Sequence, residues 1–148
     1  MDVITIVLIG FCLLELSNVV MLYFAPGSRR GNGVGMFNAY EKSRSDPEVF
    51  ALVTYLIHWV AGTKLIFIAL LIGIMITGEP AVKVFSIIAL IFSIMTFYFR
   101  MYPGMKKMDE AGQITPKGYS RTLGRMIAGI IVVFVAALAV WFASGTVL

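Results

Sequence analysis

The sequence predicts an all-α integral membrane protein in which four transmembrane helices form a bundle. Three observations support this fold class. Of the 148 residues, 59% are hydrophobic and 14% are charged, and the mean hydropathy is +0.92, whereas soluble domains carry about 25% charged residues. Most of the charged residues fall in two stretches of the chain. Before, between and after these stretches lie apolar runs at least as long as the ~20 residues that a helix needs to cross a bilayer.

The apolar runs cover approximately 4–25, 50–77, 82–102 and 122–144. Four spans and two polar loops leave no room for a separate soluble domain, so we expect a single membrane-embedded domain. The first run has no basic residue ahead of it, and Glu15 interrupts it. We therefore expect a retained helix there rather than a cleaved signal, which would begin with a basic region.

Two of the spans begin with recognisable helix-start chemistry. Span two opens with Ser-Asp-Pro-Glu, in which Ser45 or Asp46 can cap the helix and the proline suits its first position. Before span four, Thr115 and the proline after it repeat this pattern, and Ser120 is the alternative cap for a later start. The sequence therefore predicts that both helices begin with a side-chain cap of their own.

The basic residues predict how the bundle lies in the membrane. Of the 12 Lys and Arg residues, all except Lys64 and Lys83 lie in the loops after spans one and three or at the adjoining helix ends. Positively charged loops stay in the cytoplasm, so we expect both loops inside and both termini outside. In the first loop, the spacing of Phe37 and Tyr40 favours a short helix in the headgroup layer.

The same loops predict the partners of the protein. Basic side chains beside a membrane attract anionic lipid headgroups by about 1 kcal/mol each, and the candidates for this contact are Arg29, Arg30, Lys106 and Lys107. The net charge of +4 is explained by this arrangement. No basic and aromatic platform accompanies it, so we expect no nucleic-acid partner.

Two charged residues lie deep within the predicted spans. Glu15 lies ten residues from the cytoplasmic end of span one, and Lys64 lies 11 residues from Val53 on the antiparallel span two. A helical rise of 1.5 Å per residue places them about 15 Å and about 17 Å deep. Either charge alone would cost about 2.5–3.5 kcal/mol on insertion scales. Because their depths match and their charges are opposite, we expect them to form an ion pair or share a proton.

Other polar residues are candidates for the same patch. Asn18 follows Glu15 by one turn, Ser93 on span three lies at a similar level, and His58 lies about 9 Å nearer the cytoplasm than Lys64. The set is a possible transport site. The alternative is that the ion pair only fixes the register of two helices, because polar contacts between membrane helices contribute little on average. The sequence leaves both interpretations open.

Span four carries small residues at helical spacing, namely Gly129, Ala136, Ala139 and Ala143. Small residues on one stripe let helix backbones approach closely. The partner could be span one of the same chain or span four of another copy. Small membrane proteins often assemble symmetrically, which favours a homo-oligomer.

Residue counts argue against several chemistries. One cysteine, Cys12, and one histidine permit neither an intramolecular disulfide nor a haem held by two histidines of one chain. No residues have metal-ligand spacing, and none has the setting of a catalytic nucleophile, so we expect no metal, no cofactor and no catalytic residues. Asp109 and Glu110 in the third loop match no calcium loop, and we expect a solvated turn there.

Two classes of function fit these expectations. The first is a small carrier or proton-coupled exchanger in which Glu15 takes up the proton and Lys64 is its charged partner. The second is a membrane scaffold or accessory subunit that acts through helix packing and its basic loops. An enzyme is the third and least favoured class. In each case we expect a multi-pass protein of the cell membrane.

Overall fold

The computed structural model describes residues 1–30 and 33–145, and within them it contains helices and no β-strands. The helices, in chain order, are α1 (Val3–Phe24), a 3₁₀ helix (Val34–Met36), α2 (Asn38–Ser43), α3 (Pro47–Thr77), α4 (Pro80–Arg100), α5 (Tyr102–Glu110) and α6 (Tyr119–Ala143). Four helices are long and apolar enough to cross a membrane, namely α1, α3, α6 and the run of α4 that continues into α5. This confirms the four predicted spans, and the protein is therefore an all-helical, multi-pass membrane protein.

Helix α1 is the helix around which the others pack. Its most extensive contact is with α3, and it also packs against α4 and α6. Its buried side chains include Ile4 and Leu8, which are fully inaccessible, and they join residues of the other three long helices in one hydrophobic cluster. Because α1 packs against three helices, its side chains can contact residues of α3, α4 or α6.

The outer surfaces of the long helices are apolar. Large side chains such as Ile66, Phe92 and Val132 are exposed on α3, α4 and α6. In water such a surface would be unfavourable, but hydrocarbon chains solvate it. The exposed apolar surface is therefore what a bundle in a bilayer requires.

The predicted start of α3 is confirmed. Asp46 adopts an extended backbone and accepts hydrogen bonds from the backbone N–H groups of Glu48, at 3.0 Å, and Val49, at 3.2 Å. Pro47 occupies the first turn, where its missing N–H group costs nothing. The short helix expected near Phe37 and Tyr40 is also present, as α2.

The loops after α1 and α4 meet and form one structure, which we call the loop cap (residues 25–30, 33–46 and 101–118). Asn38 donates its backbone N–H to the carbonyl of Gln113 at 2.9 Å, and Thr115 donates its own to the carbonyl of Met36 at 2.8 Å. The Asn38 side-chain amide adds a bond to the carbonyl of Gly112 at 3.0 Å. Both loops therefore lie at the same end of the bundle. That this end faces the cytoplasm stays a prediction.

Beneath the loop cap lies a second hydrophobic cluster, separate from the one around α1. Its buried members come from the first loop, α4, α5, the segment before α6, and α6 itself: Met36, Phe97, Met105, Ile114, Tyr119 and Leu123. The basic loops are therefore not simply flexible tethers, because apolar burial as well as hydrogen bonding holds them in place.

The predicted start of α6 and the predicted solvated turn at Asp109 are wrong. The Asp109 carboxylate is buried, and it accepts hydrogen bonds from the Gly118 N–H at 2.8 Å, the Ser120 N–H at 2.9 Å and the Ser120 hydroxyl at 2.6 Å. Gly118, with φ at +86°, has the left-handed conformation that suits glycine, and it precedes α6 without a side-chain cap. Asp109 therefore caps α6 from another helix, and neither Thr115 nor Ser120 does so.

Candidate functional site

Glu15 and Lys64 meet across the α1–α3 contact. The ammonium Nζ of Lys64 donates a hydrogen bond to Oε2 of Glu15. The Glu15 side chain is 16% exposed and the Lys64 side chain is 26% exposed. The structure thus brings together the two charged residues that the sequence predicted at matching depth. Both side chains remain partly accessible.

Small residues on α3 make this meeting possible. Ala61, one turn before Lys64, is fully buried against α1, and the added Cβ of a larger residue at Gly62 would lie 3.5 Å from the Tyr23 hydroxyl. Side chains this small leave room for α1 to pack against α3 at this level.

The other predicted polar residues divide into two groups. Asn18 is buried on α1, one turn from Glu15, and borders the same space. His58 is exposed, and its ring lies 5.5 Å from the Tyr23 ring on α1, outside the space that Glu15 and Lys64 border. Ser93 is exposed on α4, where its carbonyl accepts a hydrogen bond from Thr96. Depth and helix rotation together account for His58, because six residues separate it from Lys64 by about 9 Å along α3 and by about 120° around it.

A cavity of about 630 Å³ lies between α1 and α6 and reaches the ion pair. Its polar lining residues are Glu15, Ser17, Asn18 and Lys64, and its remaining walls are apolar. On α1 these walls are formed by Ile6, Val7, Gly10, Phe11, Leu14 and Met21, and on α6 by Leu123, Met126, Ile127, Gly129, Ile130, Val133 and Phe134. The polar groups thus occupy one level of an otherwise apolar cavity, which is open on one side because wall residues such as Ile6, Leu14 and Val133 are exposed. No sequence pattern indicates this cavity, because its volume depends on how far apart α1 and α6 pack.

A glycine of each helix, Gly10 of α1 and Gly129 of α6, lines the cavity. A Cβ added at Gly10 or at Gly129 would have no neighbouring atom within 4 Å. Gly129 was predicted to belong to a packing stripe, but within this chain it borders open space instead. Ala136, Ala139 and Ala143 are exposed, while α6 packs against its neighbours through Phe134 and other buried side chains. The stripe therefore has no partner helix within the described part of the chain.

The residues predicted to contact anionic lipids are all exposed and lie in the loop cap: Arg29, Arg30, Lys106 and Lys107. Lys106 forms a long ion pair with Glu110 at 3.9 Å. A second, smaller cavity of about 250 Å³ lies beside it and is bordered by Lys117 and Arg121 as well as by the capping Asp109. Contact with lipid stays a prediction for all four residues.

Metal-binding chemistry has no obvious place among the described residues. Within residues 1–30 and 33–145, no group of three or more His, Cys, Asp or Glu side chains is arranged to hold a metal ion. Cys12 is buried on α1, one turn before Glu15.

No protein-family model matches the chain, and no curated protein or solved structure matches it either.

Proposed function

We propose that this protein is a small membrane carrier, a proton-coupled transporter or exchanger, that binds a lipophilic compound in the cavity between α1 and α6. One observation supports the proposal above all others. Among the described residues, the one acidic and the one basic side chain that lie deep in the long helices contact each other at the wall of this cavity. Ionisable groups within a membrane generally face a cavity or a partner and mark the paths of substrates and protons.

The volume and lining of the cavity support a binding role. Sites for small molecules are mostly apolar clefts of about 300–1,000 Å³ with a few polar groups that fix orientation. The cavity of about 630 Å³ has this character, with Glu15, Asn18 and Lys64 as its polar groups. If the ion pair served only to fix the register of α1 against α3, no cavity would be needed beside it.

The placement of Glu15 supports proton coupling. Its carboxylate is partly exposed to the cavity and has one hydrogen-bonding partner, Lys64, among the described residues. When Glu15 takes up a proton, the ion pair is lost and Lys64 is released towards the cavity. Protonation of one group therefore changes both the charge and the hydrogen bonding of the whole site.

The second candidate function is a membrane scaffold or accessory subunit, and the loop cap favours it. Two backbone bonds and the Asn38 side chain join the loops into an ordered surface with exposed basic residues. The exposed alanines of α6 would then be the surface on which a second copy of the chain packs, as a homo-oligomer. In either function we place the protein in the cell membrane with both termini outside.

Flux through liposomes separates the two functions. We expect a pH gradient to drive at least one of a panel of anionic, neutral and cationic amphipathic fluorescent probes across membranes containing the wild-type protein. The double variant Glu15→Gln/Lys64→Met should fold but show no such flux. The matched control is the exposed ion pair of Glu41 and Arg44, at 3.5 Å, whose variant Glu41→Gln/Arg44→Met should transport normally. Equal flux with wild type and Glu15→Gln/Lys64→Met would favour the scaffold.

A further inference from the structure

The ion pair leaves hydrogen-bond donors directed at the cavity. A lysine ammonium has three N–H groups, and Lys64 uses one of them on Glu15, its one hydrogen-bonding partner among the described residues. Lys64 is also the more exposed of the two side chains. Its remaining N–H groups lie at the wall of the cavity and are available to an acceptor there. A ligand with acceptor oxygens would satisfy them, and Lys64 is the group that would bind it.

The walls above and below the pair require an apolar body. On the side of the α1 N-terminus the cavity is bordered by Ile6 and Val7, and towards the loop cap by Met126 and Ile127. A compact polar solute would leave these surfaces without contacts. The ligand that fits has an apolar segment and a single polar head at the level of Lys64.

Charge balance decides the charge of that head and the role of Glu15. The ion pair has no net charge, and a bound anion would leave a net negative charge in a low-dielectric site. Uptake of one proton from water by the Glu15 carboxylate restores neutrality. The Lys64 ammonium then faces the anion, and Glu15 is a neutral acid. A bound cation would instead displace Lys64 from Glu15, and neutrality would require Lys64 to release its proton.

The other titratable groups near Glu15 do not disturb this balance. Cys12 lies one turn away on α1 and interacts electrostatically with Glu15, but a thiol is neutral at ordinary pH. Lys64 is the one titratable group that α3 contributes to the cavity, and α6 contributes none. From α4, Lys83 approaches α1 at Thr5, about 15 Å from Glu15 by helical rise. His58 lies beside Tyr23 instead.

We infer that the ligand of this cavity is an amphipathic organic anion, which binds to Lys64 together with one proton on Glu15. The inference rests on the proposed carrier function and names its substrate class: an apolar segment with one carboxylate, sulfonate or phosphate head. The basic residues of the loop cap add a long-range attraction for anions and none for cations. Proton coupling then follows from the need to keep the site neutral.

Decane-1-sulfonate is the probe that tests this assignment. A sulfonate stays ionised throughout the usable pH range, so any pH dependence of its binding comes from the protein. We expect binding to the purified protein in nanodiscs to take up about one proton, so that Kd rises about tenfold for each pH unit. Proton uptake is measured with an indicator dye in weak buffer, against protein-free nanodiscs as the blank.

Variants of the pair give a signature that a structural role would not produce. Glu15→Gln mimics the protonated acid, so it should still bind decane-1-sulfonate, but without proton uptake and without pH dependence. Lys64→Met should weaken binding at least about tenfold, which corresponds to the loss of one charged contact. The control Glu41→Gln, in an exposed ion pair, should behave as the wild type. Gly129→Leu fills open space beside the cavity and should exclude every ligand whatever its head.

Two further probes, decyltrimethylammonium and 1-decanol, separate failure of this inference from failure of the carrier proposal. Tighter binding of either probe than of the sulfonate, abolished by Gly129→Leu, would overturn the anion assignment and leave the carrier proposal standing. Proton release on binding of the cation would have the same meaning. Binding of none of the three probes would overturn both. Should Glu15→Gln fail to fold, proton uptake by the wild-type protein still decides the question.

Discussion

Two carboxylates among the described residues, the partly buried Glu15 and the buried Asp109, find their hydrogen-bonding partners in different ways. Glu15, in the middle of α1, is held by the ammonium group of Lys64 on a neighbouring helix. Asp109, in the loop cap, accepts three hydrogen bonds from neutral donors of Gly118 and Ser120. One carboxylate is balanced by a charge, and the other is balanced by hydrogen bonds at a helix start.

The difference follows from where free N–H groups exist. In the middle of a transmembrane helix every backbone N–H is already bonded within the helix, so none is available to a carboxylate. The first turn of a helix has four N–H groups without intrahelical partners. Asp109 lies at such a start and Glu15 does not. A charge in the middle of a span therefore needs a countercharge, whereas one at a helix end does not.

The two carboxylates also differ in what surrounds them. The Glu15 ion pair borders a cavity, and in the proposed function a proton takes the place of Lys64 at Glu15 while a ligand takes the place of Glu15 at Lys64. Both oxygens of Asp109 are engaged in hydrogen bonds that hold the start of α6. We therefore expect Glu15 to contribute to function and Asp109 to contribute to stability.

The largest loss of stability should come from replacing one member of the ion pair and leaving the other. Glu15→Gln or Lys64→Met leaves its partner unpaired, and we expect each to cost about 3 kcal/mol of unfolding free energy. The double variant should cost less than the sum, with a coupling of at least about 1 kcal/mol in a double-mutant cycle. Unfolding in detergent micelles measures this. The exposed pair of Glu41 and Arg44 is the control and should show almost no coupling.

The next effect should come from Asp109. Asp109→Ala removes the acceptor for three hydrogen bonds and leaves buried donors unsatisfied, so we expect a loss of about 2 kcal/mol. Asp109→Asn keeps one acceptor oxygen and should cost roughly half as much. Thermal unfolding measures both, and the exposed neighbour Glu110 provides the control variant Glu110→Ala. If Glu110→Ala destabilises the protein as much as Asp109→Ala, then Asp109 is not the cap of α6.

The smallest effect concerns Asp2, an accessible carboxylate at the start of α1. It accepts hydrogen bonds from the backbone N–H of Thr5 at 2.8 Å and from the Thr5 hydroxyl at 2.9 Å. Partial burial alone would raise the pKa of Asp2, but these bonds and the charge of Lys83 outweigh it and lower the pKa below its ordinary value of 3.8. The contribution to stability is therefore complete above that value and is lost as the pH falls through the lowered pKa.

Asp2→Asn isolates this contribution, because asparagine caps a helix about as well as aspartate but does not titrate. We expect the melting temperatures of the two proteins to be similar at neutral pH. In acid, the wild type should lose a few tenths of a kcal/mol more than Asp2→Asn. A steeper loss in the variant would show that the Asp2 charge destabilises α1.

The amino-acid sequence by itself determined the four spans, the start of α3 and the matching levels of Glu15 and Lys64 along their helices. These features are local, because length, apolar composition and helical rise fix them without knowledge of neighbours. The tertiary structure alone decided which faces meet. It placed Asn18 at the cavity, left His58 and Ser93 outside it, and set Asp109 against α6. Contacts between distant segments depend on helix rotation and spacing, and the cavity lies where α1 and α6 stay far enough apart that a Cβ added at Gly10 or Gly129 would meet no atom within 4 Å.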